Sequence, residues 1–205
     1  MNQILIEAQY IGSCSYWANL LKVDRIYLDS HEHYAKRSYR NRAHILGANG
    51  LLRLSIPLAS GKHQHSAMKD VRITYNEPWQ KLHWQSFTSA YRRSPFFEFY
   101  EDAFASFYRD QFQFLFEYNI ALMKVIAKIL RTELPIVITD VYSAVPPEGI
   151  RDLRNLIIPG RVYTPLPPYT QVFSDRFDFI NDLSVLDVLF NLGNNSKNYL
   201  TQITV

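Results

Sequence analysis

The richest concentration of chemically capable side chains lies between residues 36 and 42, with the sequence KRSYRNR. In an extended segment, side chains alternate, so Lys36, Ser38, Arg40 and Arg42 point one way and Arg37, Tyr39 and Asn41 the other. Cations at this spacing could grip a phosphate, a pyrophosphate or a carboxylate, and arginine does so with paired hydrogen bonds. A nucleotide-sugar, an acyl-adenylate or a phosphorylated sugar would fit such a clamp. The alternative is a solvated basic edge in which one arginine pairs with a core acid.

Three further polar residues are predicted to lie at the ends of strands. Gln9 and Tyr10 directly follow the first predicted strand, and Asp29 ends the second. In α/β proteins, ligands bind beyond the carboxyl ends of parallel strands. Asp29 is therefore a candidate general base beside the cations, with a plain ion pair to Lys36 or Arg42 as the alternative.

The histidines give one more candidate. His83 follows Trp79 by one turn on the apolar face of a predicted helix. It is either a core histidine whose ring is hydrogen-bonded or a residue that transfers a proton. His31 with His33, and His63 with His65, repeat a two-residue spacing that metal sites sometimes use. Glu32 lies between the first two, but no cysteine and no further carboxylate stands at a fixed interval, so we expect no metal.

The elements that would position these residues follow from periodicity and turn residues. Residues 3–8 and 25–29 read as strands around a helix over 14–22, which is a βαβ pattern. Asn49-Gly50 between strands at 42–46 and 51–57 predicts a hairpin. A further strand is predicted over 68–75.

The remainder of the chain is predicted to be mostly helical. Helices are expected from Trp79 to Tyr91, over 95–109 and over 112–131, followed by a buried strand over 135–139 and a loop-rich stretch over 143–169. A last helix begins after Ser184, with Asp187 completing a capping box, and stops at Gly193. The predicted fold is α/β, with the βαβ unit and the hairpin in one mixed sheet packed against several helices.

Composition bounds the kinds of protein this chain can be. Its 205 residues are 47% hydrophobic, which indicates a globular chain with a real core. A net charge of +3 is well short of a nucleic-acid-binding composition. One cysteine, Cys14, excludes an internal disulfide. The sequence shows no signal peptide and no apolar run long enough to span a membrane, so we expect a cytoplasmic protein.

Three blocks of sequence together resemble the WbqC-like protein family. The first runs through Gln9-Tyr10, Asp24 and Asp29 to Tyr34-x-Lys36-x-Ser38-Tyr39-x-Asn41-Arg42, Ile45-x-Gly47-x-Asn49-Gly50 and Leu54-Ser55-Ile56-Pro57. The second is Trp79-x-x-x-His83 with Ala90-Tyr91-x-x-x-Pro95-Phe96-Phe97. The third is Tyr169-x-Gln171-x-Phe173 with Leu183-Ser184-x-Leu186-Asp187-x-Leu189-x-Asn191-x-Gly193.

The resemblance implies one domain over residues 1–205 and a context in bacterial surface-polysaccharide clusters of the O-antigen type. Transfer of an amino acid such as glycine onto a sugar has been suggested for the family. Members commonly carry a Gln-Pro-x-Tyr-Phe-Pro type motif after the first strand. Here the stretch is Gln9-Tyr10-Ile11-Gly12, without the prolines, which puts any function of that turn in doubt.

Two functions are therefore predicted, in different classes. The first is a transferase of surface-polysaccharide or nucleotide-sugar metabolism, whose small anionic donor is held by the substrate-binding residues Gln9, Tyr10, Lys36, Tyr39, Arg40, Asn41 and Arg42. Asp29 or His83 would move a proton in this enzyme, and no cofactor is indicated by the sequence. The second is a non-catalytic binding protein that uses the aromatic helices over 79–110. Convergence of the first set on one cleft would favour the enzyme.

Overall fold

The computed structural model describes residues 2–59, 66–161 and 165–204. Within these residues the strands are β1 (Gln3–Ile6), β2 (Arg25–Leu28), β3 (Arg42–Gly47), β4 (Gly50–Ser55), β5 (Ile136–Ile138) and β6 (Ile150–Asp152). The helices are α1 (Cys14–Leu20), α2 (Trp79–Tyr91), α3 (Phe97–Ala105), α4 (Leu115–Ile129), α5 (Val185–Leu192) and α6 (Ser196–Gln202). The predicted α/β class is confirmed.

A parallel sheet carries the N-terminal βαβ unit. Its strands lie in the order β5-β2-β1-β6, and α1 connects β1 to its parallel neighbour β2. Side chains alternate along these strands, so that Ile4, Ile6, Ile26 and Leu28 fill the core on one face. On the other face, Leu5 lies level with Tyr27 and Val137 and borders a cavity.

The hairpin is a separate element, and the expectation of one mixed sheet was wrong. Strands β3 and β4 pair only with each other in an antiparallel sheet that packs against α2 and α5. The apolar face of the hairpin, with Ala43, Ile45 and Leu54, is buried. Its other face is therefore left to carry polar side chains, and no strand of the parallel sheet extends it.

The predicted strand over 68–75 was also wrong. Met68–Asp70 form a 3-10 turn, and only single bridges follow, from Arg72 to Phe114 and from Ile73 to Leu58. The N–H groups of Met68 and Lys69 donate to the carbonyls of Glu32 and Ser30 rather than to a ladder. The segment thus closes over the loop that follows β2.

Two elements had not been predicted, because both are short. Strand β6 falls in the stretch predicted as loop, and its three residues give no measurable period. Helix α6 follows α5 after a 3-10 turn. In place of the predicted helix over 95–109, an α-helix ends at Ala105 and a 3-10 turn follows over Ser106–Tyr108.

The ends of α5 show which terminal signal held. Gly193 has φ of 54°, and a Cβ there would lie 2.5 Å from the ring of Phe96, so the predicted glycine stop is confirmed. Ser184 is the N-cap residue, but its side chain makes no capping bond. The carboxylate of Asp187 bonds instead to Tyr169 and Gln171, so the predicted capping box does not form.

The turn after β1, where the family motif with its prolines is missing, contains two residues with positive φ. Ile11 and Gly12 both adopt left-handed backbone, with φ of 65° and 80°. Proline is fixed near −65° and could take neither position. A Cβ at Gly12 would also lie 2.6 Å from Tyr16.

The longest helix in the described residues is α4, with 15 residues. In that part of the chain, no helix has both the length and the apolar character needed to cross a membrane.

Candidate functional site

Polar residues beyond the four parallel strands meet at one edge of the sheet. Glu7, Asp29 and Arg154 follow the carboxyl ends of β1, β2 and β6 by one or two residues. The Oδ1 atom of Asp29 accepts from the N–H groups of His31 and Glu32, at 3.0 and 2.9 Å. Its Oδ2 atom accepts from Nη1 of Arg154 at 2.6 Å. Asp29 therefore fixes the loop after β2 and is paired with a cation.

Arg40 occupies the centre of the same edge. Its guanidinium donates to both carboxylate oxygens of Glu32, at 2.7 and 2.5 Å, and lies 3.8 Å from Glu7. The side chain of Arg40 is 0% exposed. Buried Asn119 of α4 holds the segment in place, because its amide donates to the carbonyls of Ala8 and Arg40. We call the six charged residues of this edge the carboxyl-edge network: Glu7, Asp29, Glu32, Arg40, Asp152 and Arg154.

Burial shapes the electrostatics of this network. It raises the pKa of Glu32 to about 7, although the hydrogen bonds and charge of Arg40 oppose the shift. Arg154 bridges Asp29 and Asp152, and its hydrogen bonds lower the pKa of Asp152 against the opposing effect of burial. A cavity of about 270 Å³ borders the network at Glu32, His33, Tyr142, Asp152, Arg154 and Asn155.

A second site forms on the polar face of the hairpin. Along β3 the two-residue period places Arg42 and His44 on this face, and Arg53 of β4 lies directly across from His44. Arg37 adds a further cation from the preceding loop, in left-handed backbone with φ of 59°. These residues line a cavity of about 360 Å³. We call it the arginine pocket, and its polar lining comprises Arg37, Tyr39, Arg42, His44, Arg53, Arg161, Asn181 and Asp182.

Most charges of the arginine pocket have no counter-charge. Of the ion pairs in the described residues, none involves Arg37, Arg42 or Arg53. The Nε atom of Arg42 is buried without a hydrogen-bond partner. Burial lowers the pKa of His44, and the nearby charges of Arg53 and Arg42 lower it further. The pocket is therefore strongly cationic even while His44 is neutral.

One acid lines the arginine pocket. Asp182 accepts from the N–H of Ser15 at 2.8 Å and from the hydroxyl of Ser13 at 3.3 Å. The two residues that follow it bond to the elements on either side, since the carbonyl of Leu183 accepts from the N–H of Cys14 and the N–H of Ser184 donates to the carbonyl of His44. Burial raises the pKa of Asp182. This segment therefore borders the arginine pocket between α1 and the hairpin.

The structure separates the predicted site residues from one another. Tyr39 and Arg42 line the arginine pocket, and Lys36 is exposed outside it. Asp29 and Arg40 belong to the carboxyl-edge network. Gln9 lies beside it, with its amide donating to Glu7 Oε1 at 2.8 Å and to the carbonyl of Ile157.

The remaining predicted residues are buried and engaged with other groups. Asn41 donates to the carbonyl of Ile56 and accepts from the hydroxyl of Tyr34. Tyr10 and His83 meet in an aromatic cluster, where the Tyr10 hydroxyl lies 2.9 Å from His83 Nδ1 and 2.9 Å from the hydroxyl of Tyr108. Burial lowers the pKa of His83 to about 4, so its ring is neutral at pH 7. The predicted set does not converge on one cleft.

Other residues of the sites had not been singled out from the sequence. Arg53 and His44 carry a readable signal, because each alternates with buried apolar residues of the hairpin. Arg154, Arg161 and Asp182 carry none, since they reach the sites from distant parts of the chain.

The histidine pairs show no metal geometry where they are described. His31 Nδ1 lies 3.1 Å from the carbonyl of Thr139, and Nε2 lies 2.9 Å from Nζ of Lys69. The described residues contain no group of three or more His, Cys, Asp or Glu side chains arranged to hold a metal ion. His63 and His65 lie outside the described residues. Cys14 is buried.

The two sites are bordered by the same two stretches of chain. Residues 32–42 contribute to both sites. They supply Glu32, His33 and Arg40 to the carboxyl edge. They also supply Arg37, Tyr39 and Arg42 to the arginine pocket. Residues 152–161 likewise run from Asp152 and Arg154 to Arg161.

Comparison with known proteins gives one positive result. The family model described as the WbqC-like protein family matches residues 8–155. No curated protein and no solved structure matches the chain. The matched range includes the carboxyl-edge network except Glu7. It includes Arg37, Tyr39, Arg42, His44 and Arg53 of the arginine pocket, but neither Arg161 nor Asp182.

Proposed function

The chain belongs to the WbqC-like protein family, and we propose that it is a transferase that holds a small anionic donor in the arginine pocket. The observation that carries the proposal is the set of cations around one cavity, of which Arg37, Arg42 and Arg53 have no ion pair within the described chain. Four guanidinium groups held together repel one another, and a phosphate or carboxylate would relieve that repulsion.

The pocket also has a size and lining that suit such a donor. Its volume of about 360 Å³ falls within the range of small-molecule sites. The apolar side chains of Leu51, Ile180 and Leu183 and the ring of Tyr39 complete the lining. The donor would thus meet both charge and apolar surface, as a nucleotide-sugar or a phosphorylated sugar requires.

Asp29 and His83, the predicted proton-transfer residues, have little support as such in the geometry. The carboxylate oxygens of Asp29 are occupied by backbone N–H groups, Thr139 and Arg154. His83 is buried among aromatic rings. The proposal of a donor site therefore depends on the arginine pocket. The metabolism that we propose for the enzyme is that of surface polysaccharides or nucleotide-sugars.

The aromatic helices give weaker support to a non-catalytic binding protein. Of the large apolar side chains between residues 79 and 110, Leu82 and Phe99 are exposed, while Phe87, Tyr91 and Phe97 are buried. Two separate exposed residues do not form a binding surface.

A binding experiment tests the donor site. Calorimetric titration with inorganic pyrophosphate and with a nucleotide-sugar is expected to show binding that weakens about tenfold or more in Arg53→Ala and in Arg42→Ala. Arg92→Ala, which removes an exposed arginine at the end of α2, serves as the matched control and should bind like the wild type. Equal affinity in all four proteins would remove the arginine pocket from the proposal.

A second measurement separates transfer from binding. The protein is incubated with the tightest nucleotide-sugar and a panel of sugar and amine acceptors, and release of the free nucleotide is followed. Release that is lost in Arg53→Ala supports a transferase. Tight binding without release by any acceptor would favour a binding protein.

A further inference from the structure

The arginine pocket contains a carboxylate that an anion site does not need. A cavity built only to hold a polyanion gains from every cation and loses from every acid, because like charges repel across a partly desolvated space. Asp182 nevertheless lines the same cavity as Arg42 and Arg53. Its presence calls for an explanation in terms of the ligand.

The local structure uses only part of the hydrogen-bonding capacity of the Asp182 carboxylate. An ionised carboxylate has about four acceptor positions. The N–H of Ser15 uses one on Oδ1, the hydroxyl of Ser13 uses one on Oδ2, and the side chain of Ser15 also donates to the carboxylate. No ion pair of the described residues joins Asp182 to an arginine. Acceptor capacity therefore remains beside a cavity whose other groups are mostly donors.

The position of the carboxylate is held from several directions. Asp182 adopts left-handed backbone with φ of 53°, and the nearby N–H of Ser184 donates to the carbonyl of His44. Strained backbone held by its surroundings is typical of functional sites. Hydrogen bonds to α1 and to the hairpin therefore hold this segment on both sides.

We propose that Asp182 sets the ligand class of the arginine pocket, which takes an anion that also carries a hydroxyl or amino donor. The inference rests on the proposed donor site, and it narrows the class of molecule held there. The arginines bind the anionic group, and Asp182 accepts a hydrogen bond from the donor group at the other side of the same molecule. A bare polyanion lacks that bond and is repelled by Asp182.

The burial of Asp182 agrees with this assignment. Burial raises the pKa of its carboxyl group, and the two serines oppose that shift only in part. A ligand donor would supply the missing stabilisation of the ionised form.

Three probes of matched size test the proposal: ethyl phosphate, 2-hydroxyethyl phosphate and 2-aminoethyl phosphate. In the wild-type protein we expect affinity to rise in that order, with the amino probe about tenfold tighter than the ethyl probe. In Asp182→Asn the order should invert for the amino probe, because its ammonium group then meets only arginines. The amide introduced by this substitution retains an oxygen for the N–H of Ser15, so α1 keeps that contact.

Asp178→Asn is the control for loss of a nearby acid, because Asp178 is not part of the pocket lining. It should leave the order of the probes unchanged, and thermal unfolding should confirm that both variants fold. Equal binding of all three probes by the wild type would overturn the inference while leaving the donor site standing. Persistence of the preference in Asp182→Asn would also overturn it. No binding of any probe would instead remove the donor site itself.

Discussion

Arg40 and Arg42 lie two residues apart, yet they serve two regions that treat charge in opposite ways. In the carboxyl-edge network, Arg40 is fully buried and both oxygens of Glu32 accept its hydrogen bonds. In the arginine pocket, Arg42 is half-buried and its Nε atom has no partner. The network satisfies its charges within the protein, whereas Arg37, Arg42 and Arg53 of the pocket have no ion pair within the described residues. Density of charge in a sequence therefore does not distinguish a structural pair from a binding site, whereas the location of the counter-charges does.

The largest expected effect comes from breaking the network at its centre. Arg40→Met leaves Glu32 and Glu7 buried without their cation, and we expect a loss of about 3–5 kcal/mol in the free energy of unfolding. Arg42→Met removes a charge with no ion pair and should change stability by less than about 0.5 kcal/mol. Urea unfolding measures both. Similar losses in the two variants would erase the distinction between the regions.

The pH dependence of stability should show the cost of burial in the network. The pKa of Glu32 rises from 4.5 to about 7 on folding, so the folded state holds a proton there that the unfolded state releases. This contribution weakens the protein as pH rises across that window. His83 has the opposite sign: its pKa falls from 6.5 to about 4, so its contribution weakens the protein as pH falls. Each is at most about 3 kcal/mol.

Single variants separate the two contributions, which oppose each other in the wild type. Relative to the wild type, the stability of Glu32→Gln should fall more steeply on acidification from pH 6.5 to 4.5. That of His83→Gln should fall more steeply as pH rises from 4.5 to 7. Denaturant unfolding at several pH values gives both slopes, and unchanged slopes would mean that neither group titrates abnormally in the folded protein.

The smallest expected effect concerns Arg37, whose backbone is strained at the arginine pocket. Glycine adopts φ of 59° without penalty, so Arg37→Gly should be about 1 kcal/mol more stable than Arg37→Ala. Both variants lack the guanidinium and should lose pyrophosphate affinity equally. Denaturant unfolding and calorimetry measure the two quantities separately. Retained affinity in either variant would place Arg37 outside the binding surface.

The sequence predicts the local parts of this molecule better than their assembly. The βαβ unit, the Asn49-Gly50 hairpin and the Gly193 stop follow from periodicity and turn chemistry, and all are confirmed. The separation of the hairpin from the parallel sheet could not be predicted, because strand pairing depends on contacts distant in the chain.

The candidate site divides in the same way. The cations between residues 36 and 42 are evident from the sequence. That Arg40 pairs with Glu32 and Glu7 cannot be predicted from spacing alone. Alternation predicts two faces for an extended segment, whereas Arg37 adopts left-handed backbone and interrupts it. Arg161 and Asp182 come from the last quarter of the chain, where no local pattern points to residue 42.

The residues that line the arginine pocket come from different parts of the chain. Arg37, Arg42 and Arg53 lie within the stretch that the family model matches, whereas Asp182 lies beyond it. In the proposed donor site, substitutions at residues 159–161 and 180–183 would therefore change which molecule is accepted, while Arg42 and Arg53 would still bind its anionic group. If the proposal holds, such an arrangement would let one scaffold acquire a new specificity through changes in two short segments near the end of the sequence.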